Sequence, residues 1–432
     1  MEMHLTLMLI AMGVFLAINI PVAFAIALSS LVFMVLKGGI KIETLVQRMV
    51  NGTDSFPLLA IPFFILAGEL MNRVGITRRL FTLASAMVGH ITGGLAHIDI
   101  VANTIMAGTS GSSVADAAGT AKVWVPVMAE SGYKKSFAAA VTAAAATIAP
   151  VIPPSIGMII YAAISGASVG RLFLGGFLPG ILMAITMMAT AYILCRRIGY
   201  GPATVSFSWR RVLIELKKSL FALFMPVIIL GGILAGLCTP TEAAAVAAVY
   251  AGVVGMFIYK EIGLKDLPPI LLDAAVGTAI IGLIMAAATP FGWIIVWERM
   301  PQIVMEWVVS VTSNPVVFLM LVNVFLLILG TFMDSIPIMV MLIPILTPIM
   351  IKFGIDLTHF GLILIINLMI GGLTPPYGIL LFTVSGITKV PVSEVVKEVF
   401  PFMLTILLVL MMVTYLPSIV LFLPNLFMGV PK

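Results

Sequence analysis

Two Pro-Pro pairs, each inside an apolar run long enough to be a membrane helix, constrain this chain more than any other feature. They occur in TIAPVIPPSIGM at 147–158 and in MIGGLTPPYGIL at 369–380. Proline removes a backbone donor and clashes with the preceding helical turn, so two in succession break a helix. In hydrocarbon, each freed backbone group is costly unless something satisfies it. The breaks must therefore be enclosed by protein, or lie beside something that uses free backbone groups.

Composition says that hydrocarbon is the relevant solvent. Of 432 residues, 61% are hydrophobic and 9% charged, whereas a soluble domain carries roughly 25% charged residues. A soluble fold could not cover so much apolar surface. The apolar runs are long and lack the alternation of a barrel strand, so the spans are helical. At about 20 residues per span, the length leaves room for roughly ten spans or more and some shorter segments. The expected fold class is an all-α polytopic membrane protein. The net charge of +5 lies mainly in short loops, as the positive-inside rule expects, and forms no nucleic-acid surface. The densest basic cluster, Arg196, Arg197, Arg210, Arg211, Lys217 and Lys218, is expected in the cytoplasm. The N-terminus reaches Ala23-Phe24-Ala25 like a signal peptide, but carries Glu2 instead of a positive n-region and stays apolar beyond. A retained first span is expected. Cys195 and Cys238 read as small buried hydrophobes.

The basic cluster sits near the midpoint, and the chain repeats about it. A shift of 222 residues places Pro153-Pro154 on Pro375-Pro376 and Gly108-Thr109 on Gly330-Thr331. It also pairs Pro126 with Pro348, Gly132 with Gly354 and Pro179 with Pro401. The first repeat is expected over 1–195, with scaffold helices, a hairpin at about 92–129 and a broken helix at about 136–165. A basic cytoplasmic linker follows at 196–218. The second repeat covers 219–432, with a hairpin at about 315–351 and a broken helix at about 357–388. Its apolar runs at 270–289 and 290–297 read as separate segments.

Paired broken helices in membrane repeats point to the central site of a secondary transporter. A break exposes carbonyls at one half-helix end and N–H groups at the next. The carbonyls suit a hard cation such as Na⁺, and the N–H ends suit an anion. In the first hairpin, MAGTSGSSVADAAGTA at 106–121 supplies small residues for close backbone approach and hydroxyls as extra oxygens. The same composition also fits a helix-packing surface. The second hairpin has LLILGTFMDSIPIMV at 326–340. Asp116 and Asp334 are expensive in apolar surroundings and so are functional candidates. For both, capping a half-helix N-terminus is favoured over binding a cation. Thr239, Pro240 and Glu242 read as a capping box with Pro at the first helical position. Glu69 is placed near a membrane boundary beside Arg73. His90, His97 and His359 show no metal spacing, and no histidine motif accompanies Ser112, Ser113 and Asp116, so an enzyme is not expected. A channel and a membrane scaffold are the other classes open.

The motifs IPFFILAGELM, AGTSGSSVADAAG, IAPVIPPSIGMIIYA, GLCTPTEAAAVAAVYA and GGLTPPYGILLF run in order along essentially the whole chain. Together they resemble the large membrane subunit of TRAP (tripartite ATP-independent periplasmic) transporters, the DctM-like family. The resemblance implies two inverted repeats with re-entrant hairpins and broken helices, moving as an elevator-type transporter in a bacterial inner membrane. It implies sodium-coupled import of an organic anion, a C4-dicarboxylate, sialic acid or a related carboxylate. A soluble periplasmic binding protein would deliver the substrate. No multi-span domain precedes Met1, so the small four-helix membrane subunit is expected as a separate chain. No cofactor is implied, and Na⁺ is the coupling ion. Carried onto this sequence, one sodium site falls at Ser110 and Ser113 with backbone from Ala149, Pro150 and Pro153. The other falls at Gly330, Gly371 and Thr374. Thr109, Ser112, Ser155 and Tyr377 are the substrate-binding candidates. Tyr377 stands where the first repeat has Ser155, and PPYG is shorter than PPSIG, so the two sites are expected to differ. No Walker-type nucleotide motif is present. The alternative coupling ion is the proton, with Asp116 or Asp334 titrating.

Overall fold

The computed structural model describes residues 3–203 and 206–430; Glu2, on which the N-terminal reading turned, lies outside them. The first half contains α1 (Met3–Ala17), α2 (Val22–Lys37), α3 (Glu43–Thr53), α4 (Ala60–Arg73), α5 (Ile76–Val88), α6 (Gly94–Ser110), α7 (Ser113–Glu130), α8 (Lys135–Ala146), α9 (Ile156–Ser165) and α10 (Val169–Ile198). The second contains α11 (Trp209–Leu234), α12 (Pro240–Val253), α13 (Leu267–Trp297), α14 (Met300–Val311) and α15 (Pro315–Gly330). It continues with α16 (Ser335–Lys352), α17 (Leu357–Gly371), α18 (Ile379–Thr388), α19 (Val392–Tyr415) and α20 (Ser418–Met428).

The 222-residue offset recurs in the helix boundaries. Helices α7 and α16 start and end 222 residues apart, and α8 and α17 start 222 apart. Pro153-Pro154 and Pro375-Pro376 fall in the gaps expected of them, between α8 and α9 and between α17 and α18, and both of these bonds are cis. Packing across the halves is reciprocal. Helix α9 packs on α16 while α18 packs on α7, and α8 packs on α19 while α17 packs on α10. Each broken helix therefore lays its second half against the other repeat's hairpin. One continuous core runs through both repeats. A second, smaller core joins α1, α2 and α3 to α13 and α16, through Met8, Ile26, Phe33, Leu45, Phe291, Ile294 and Met341.

Local chemistry explains several helix starts. Thr239 Oγ1 accepts from Glu242 N–H at 3.3 Å, and the Glu242 carboxylate accepts the Thr239 N–H at 2.7 Å. This is the expected capping box, and it fixes the start of α12. Asp356 Oδ1 caps α17 by accepting from Thr358 N–H at 2.6 Å.

The structure corrects three boundary readings. Residues 270–289 and 290–297 form one helix, because Pro290 sits inside α13 without ending it. The carbonyl that Pro290 frees is that of Ala286, four positions back, and the helix runs on through the proline to Trp297. The basic stretch at 196–218 is helical at both ends: Arg196 and Arg197 complete the last turn of α10, where cations suit the negative end of the dipole. Arg210, Arg211, Lys217 and Lys218 belong to the start of α11. The span count also falls. Among the described residues, six helical runs have the length and hydropathy to cross a membrane, with α4 and α12 counted together with the short turns that extend them to Phe56–Arg73 and Pro240–Ile258, or seven if α14 and α15, bent by 118°, count as one. The remaining apolar helices have 10–17 residues, because hairpins and breaks divide what composition alone reads as spans.

Candidate functional site

The Pro-Pro breaks and the hairpin tips meet. Gly111, between α6 and α7, has φ +62°, and a Cβ there would lie 2.5 Å from the Pro154 carbonyl oxygen. Only glycine lets the tip turn left-handed and approach the break this closely. In the second repeat, a Cβ on Gly371 would lie 2.6 Å from Gly330 Cα. Tyr377 N–H donates to the Thr331 carbonyl at 2.9 Å, tying the second break to its own hairpin. In the first repeat a carbonyl oxygen of the break thus faces the small-residue tip, whereas in the second the break meets its hairpin through the Gly330–Gly371 contact and the Tyr377 N–H.

A cavity of about 160 Å³ lies between the two tips. Ser112 and Ser113 line it from the first repeat, Asp334 and Ser335 from the second, and Pro150 and Gly157 from the first break. Three helix N-termini open onto it, each with a side-chain cap. Ser112 Oγ accepts from Ala115 N–H at 3.4 Å at the start of α7. Ser155 Oγ accepts from Met158 N–H at 3.3 Å at the start of α9. Asp334 Oδ1 accepts from Ser335 N–H at 2.7 Å at the start of α16. Helix N-termini present unpaired N–H groups and a positive dipole end, which favour an anion. The caps of α7 and α9 are neutral serines and α9 has no acid in its first turn, whereas Asp334 caps α16 and Asp116 lies in the first turn of α7.

Beside this cavity lies a second, of about 200 Å³, which shares Ser112, Ile156 and Ile281 with the first. Ser110 also faces it, and α4 and α13 add Glu69, Asn72 and Asp273. Asp273 pairs with Arg73 at 3.2 Å. Glu69 and the Arg73-paired Asp273 give this space an acidic side, while the first space carries a carboxyl of its own in Asp334. A larger space of about 480 Å³, between α3, α9, α13 and α16, is lined mostly by apolar groups.

Each predicted residue can now be placed. Ser110 ends α6 and Ser113 begins α7, both buried. Ala149, Pro150 and Pro153 lie in the non-helical break, with Ala149 fully buried. Gly330 and Gly371 end α15 and α17 in mutual contact. Thr374 Oγ1 donates to the Ile370 carbonyl at 2.7 Å, which leaves its lone pairs free to accept or ligate. Thr109 is buried with its hydroxyl donated to Met106 O at 2.7 Å, and it does not line the central cavity. Tyr377 does not line it either. Its contribution is the backbone bond to Thr331. The capping expectation holds for Asp334 and fails for Asp116. Ser112 caps α7, while Asp116 sits buried in the first turn and makes no cap bond. A cap must precede the helix in extended backbone, as Ser112 does, and Asp116 is already helical. Ser335 and Ile281 were not among the sequence candidates. The 222 shift that pairs the breaks also pairs Ser113 with Ser335 and Ser112 with Asp334, so the signal for Ser335 was present. Nothing local marks Ile281.

Residues 9–419 match the family described as tripartite ATP-independent periplasmic transporter, DctM component. The chain belongs to that family. This DctM-family chain is 40% identical over 411 residues to the sialic acid TRAP transporter large permease protein SiaM of Vibrio cholerae, covering 95% of this chain and 96% of that one. It is 40% identical over 384 residues to the C4-dicarboxylate TRAP transporter large permease protein DctM of Pseudomonas aeruginosa, covering 89% and 90%. Its fold is similar to the crystal structure of the Alcanivorax borkumensis YdaH transporter, with a TM-score of 0.63, 16% identity and 86% of each chain covered. The chain is therefore a multi-pass membrane component of a transporter rather than an enzyme.

Proposed function

We propose that this permease imports an organic anion across a bacterial inner membrane, using a sodium gradient. It works with a separate small four-helix membrane subunit and a soluble periplasmic binding protein that delivers the anion. The observation that carries this reading is the cavity between the hairpin tips, where three helix N-termini and four hydroxyl or carboxylate side chains converge. The substrate's carboxylate sits against the serine-capped ends of α7 and α9. Its other polar groups face Ser335 and the far side of the cavity. Sodium binds at the two tips, with carbonyls of the breaks as the main ligands and the hydroxyls of Ser110, Ser113 and Thr374 as additions. Ordering the tips by sodium favours the anion, and the anion then favours sodium by the same factor. The part carrying both moves against a fixed scaffold.

The relatives that transport sialic acid and C4-dicarboxylates set the substrate class to test. Proteoliposomes holding both membrane subunits, supplied with the binding protein, should take up one or more acids from a panel of sialic acids, C4-dicarboxylates and hydroxy acids. Ser112→Leu, which removes a cap and fills the cavity, should abolish that uptake. Uptake of no acid, or full uptake by Ser112→Leu, contradicts the reading.

A further inference from the structure

A carboxyl outside the candidate site has no partner for a charge. Asp99, in α6, is fully buried. Its Oδ1 accepts from Asn103 Nδ2, one turn along the helix, at 2.8 Å. Its Oδ2 lies 2.5 Å from Thr142 Oγ1 of α8. Both neighbours are neutral. Helices α4, α5, α7, α8, α10 and α11 pack on α6, and among the described residues none of them brings a charged or titratable side chain to bear on this carboxyl, whose neighbours are Thr142 and Asn103. On α6 itself, His97 is two positions away, and residues so spaced do not share a helix face.

The second repeat joins the corresponding helices without any ionisable group. Asn367 Nδ2 of α17 donates to Asn323 Oδ1 of α15 at 2.9 Å. Asn323 Nδ2 in turn donates to Thr414 Oγ1 at 2.9 Å. By the 222-residue shift Asp99 pairs with Leu321 and Asn323 with Val101, so the two repeats place their buried polar joints at different positions, one through amides and the other through a carboxyl. An isolated carboxylate in this core is far more costly than a neutral acid. A neutral acid presents one O–H donor beside one carbonyl-like acceptor. Asn103 supplies the donor for Oδ1, and the Thr142 hydroxyl supplies an acceptor for a proton on Oδ2.

The geometry points to Asp99 as a proton-binding site: its Oδ2 holds a proton, donates it in a hydrogen bond to Thr142, and so keeps α6 joined to α8. The site is separate from the sodium and anion candidates and does not depend on them. Loss of the proton to bulk water leaves a carboxylate with no countercharge. Helix α6, which ends at the Ser110 tip, then loosens from α8. If only the protonated form transports, uptake falls roughly tenfold per pH unit above the midpoint of this titration.

Infrared difference spectroscopy on the full chain in lipid nanodiscs reads the proton directly. At neutral pH, wild type minus Asp99→Asn is expected to show a protonated-carboxyl C=O band, which vanishes when wild type is titrated to alkaline pH. Thr142→Val keeps the side-chain shape and removes the hydroxyl, so the band should persist at a shifted frequency. In proteoliposomes, Asp99→Asn carries its donor permanently and should lose the alkaline fall in uptake. A wild-type spectrum with a carboxylate stretch in place of that band overturns the proposal. So does an alkaline fall that Asp99→Asn leaves unchanged. Should Asp99→Asn fail to fold, the Thr142→Val spectrum decides alone, because an unshifted band assigns the protonated acid elsewhere.

Discussion

Ser113 begins α7 at the first tip, and Thr374 lies in the second break just beyond the end of α17. If their hydroxyls ligate sodium, Ser113→Ala or Thr374→Ala removes one oxygen and leaves the backbone ligands. Losing one such contact costs about 0.5–1.5 kcal/mol net, or roughly threefold to tenfold in affinity. The sodium concentration for half-maximal uptake should rise by that factor, with the protein still folded. An unchanged midpoint in both variants removes the hydroxyls from the ligand set. Gly371 is less forgiving. Its would-be Cβ meets backbone of Gly330 at 2.6 Å, which cannot swing aside as a flexible side chain can. Gly371→Ala should therefore abolish sodium-dependent uptake. Gly119→Ala, at a helical glycine with nothing within 4 Å, should leave uptake at the wild-type level. Equal uptake by the two variants would show that the Gly330–Gly371 contact does not matter. Ser113 stood out in its Gly-Ser run and Gly330 through the 222-residue shift, whereas Gly371 entered only through the family resemblance. Asp116 was misread because a cap depends on where the helix starts, which differs by a few residues from the obvious Gly-Ser run.

At the scale of elements, a buried amide pair stitches α15 to α17. Asn367→Leu leaves Asn323 Oδ1 without the Nδ2 that satisfied it, a change that costs about 1–3 kcal/mol. Adding Asn323→Leu removes the orphaned acceptor, so the double variant should recover part of the loss. Thermal unfolding in detergent measures this, and strictly additive losses would contradict it. The hairpins give a second test. Each tip, probed with cysteine at Ser112 or Ser335 in a locked state, should react with a membrane-impermeant thiol reagent from one side only. Labelling of either tip from both sides would mean that the segments cross fully. The breaks were legible because proline acts locally. The continuity of α13 through Pro290 was not, because whether a proline ends a membrane helix depends on the helices packed around it. Likewise α11 extends back to Trp209, where charge alone suggested a linker.

For the whole molecule, the repeat was legible as a register of helix breakers. What the sequence could not show is the exchange, in which α9 packs on α16 and α18 on α7. That exchange brings Ser112 and Ser113 opposite Asp334 and Ser335, residues more than 200 positions apart, and no local pattern reports such a contact. Orientation follows from charge: a reporter inserted after Ser206 should be cytoplasmic, because Arg196, Arg197, Arg210 and Arg211 flank it. Periplasmic labelling there would invert the topology. The central claim is that sodium, ordered at the two broken helices, drives the anion inward. It is tested most directly by initial uptake of the transported acid in proteoliposomes with both membrane subunits and saturated binding protein, under imposed Na⁺ and pH gradients applied separately. The account predicts uptake that requires an inward Na⁺ gradient and continues when the pH gradient is abolished. Uptake that proceeds without sodium and follows the pH gradient would contradict it.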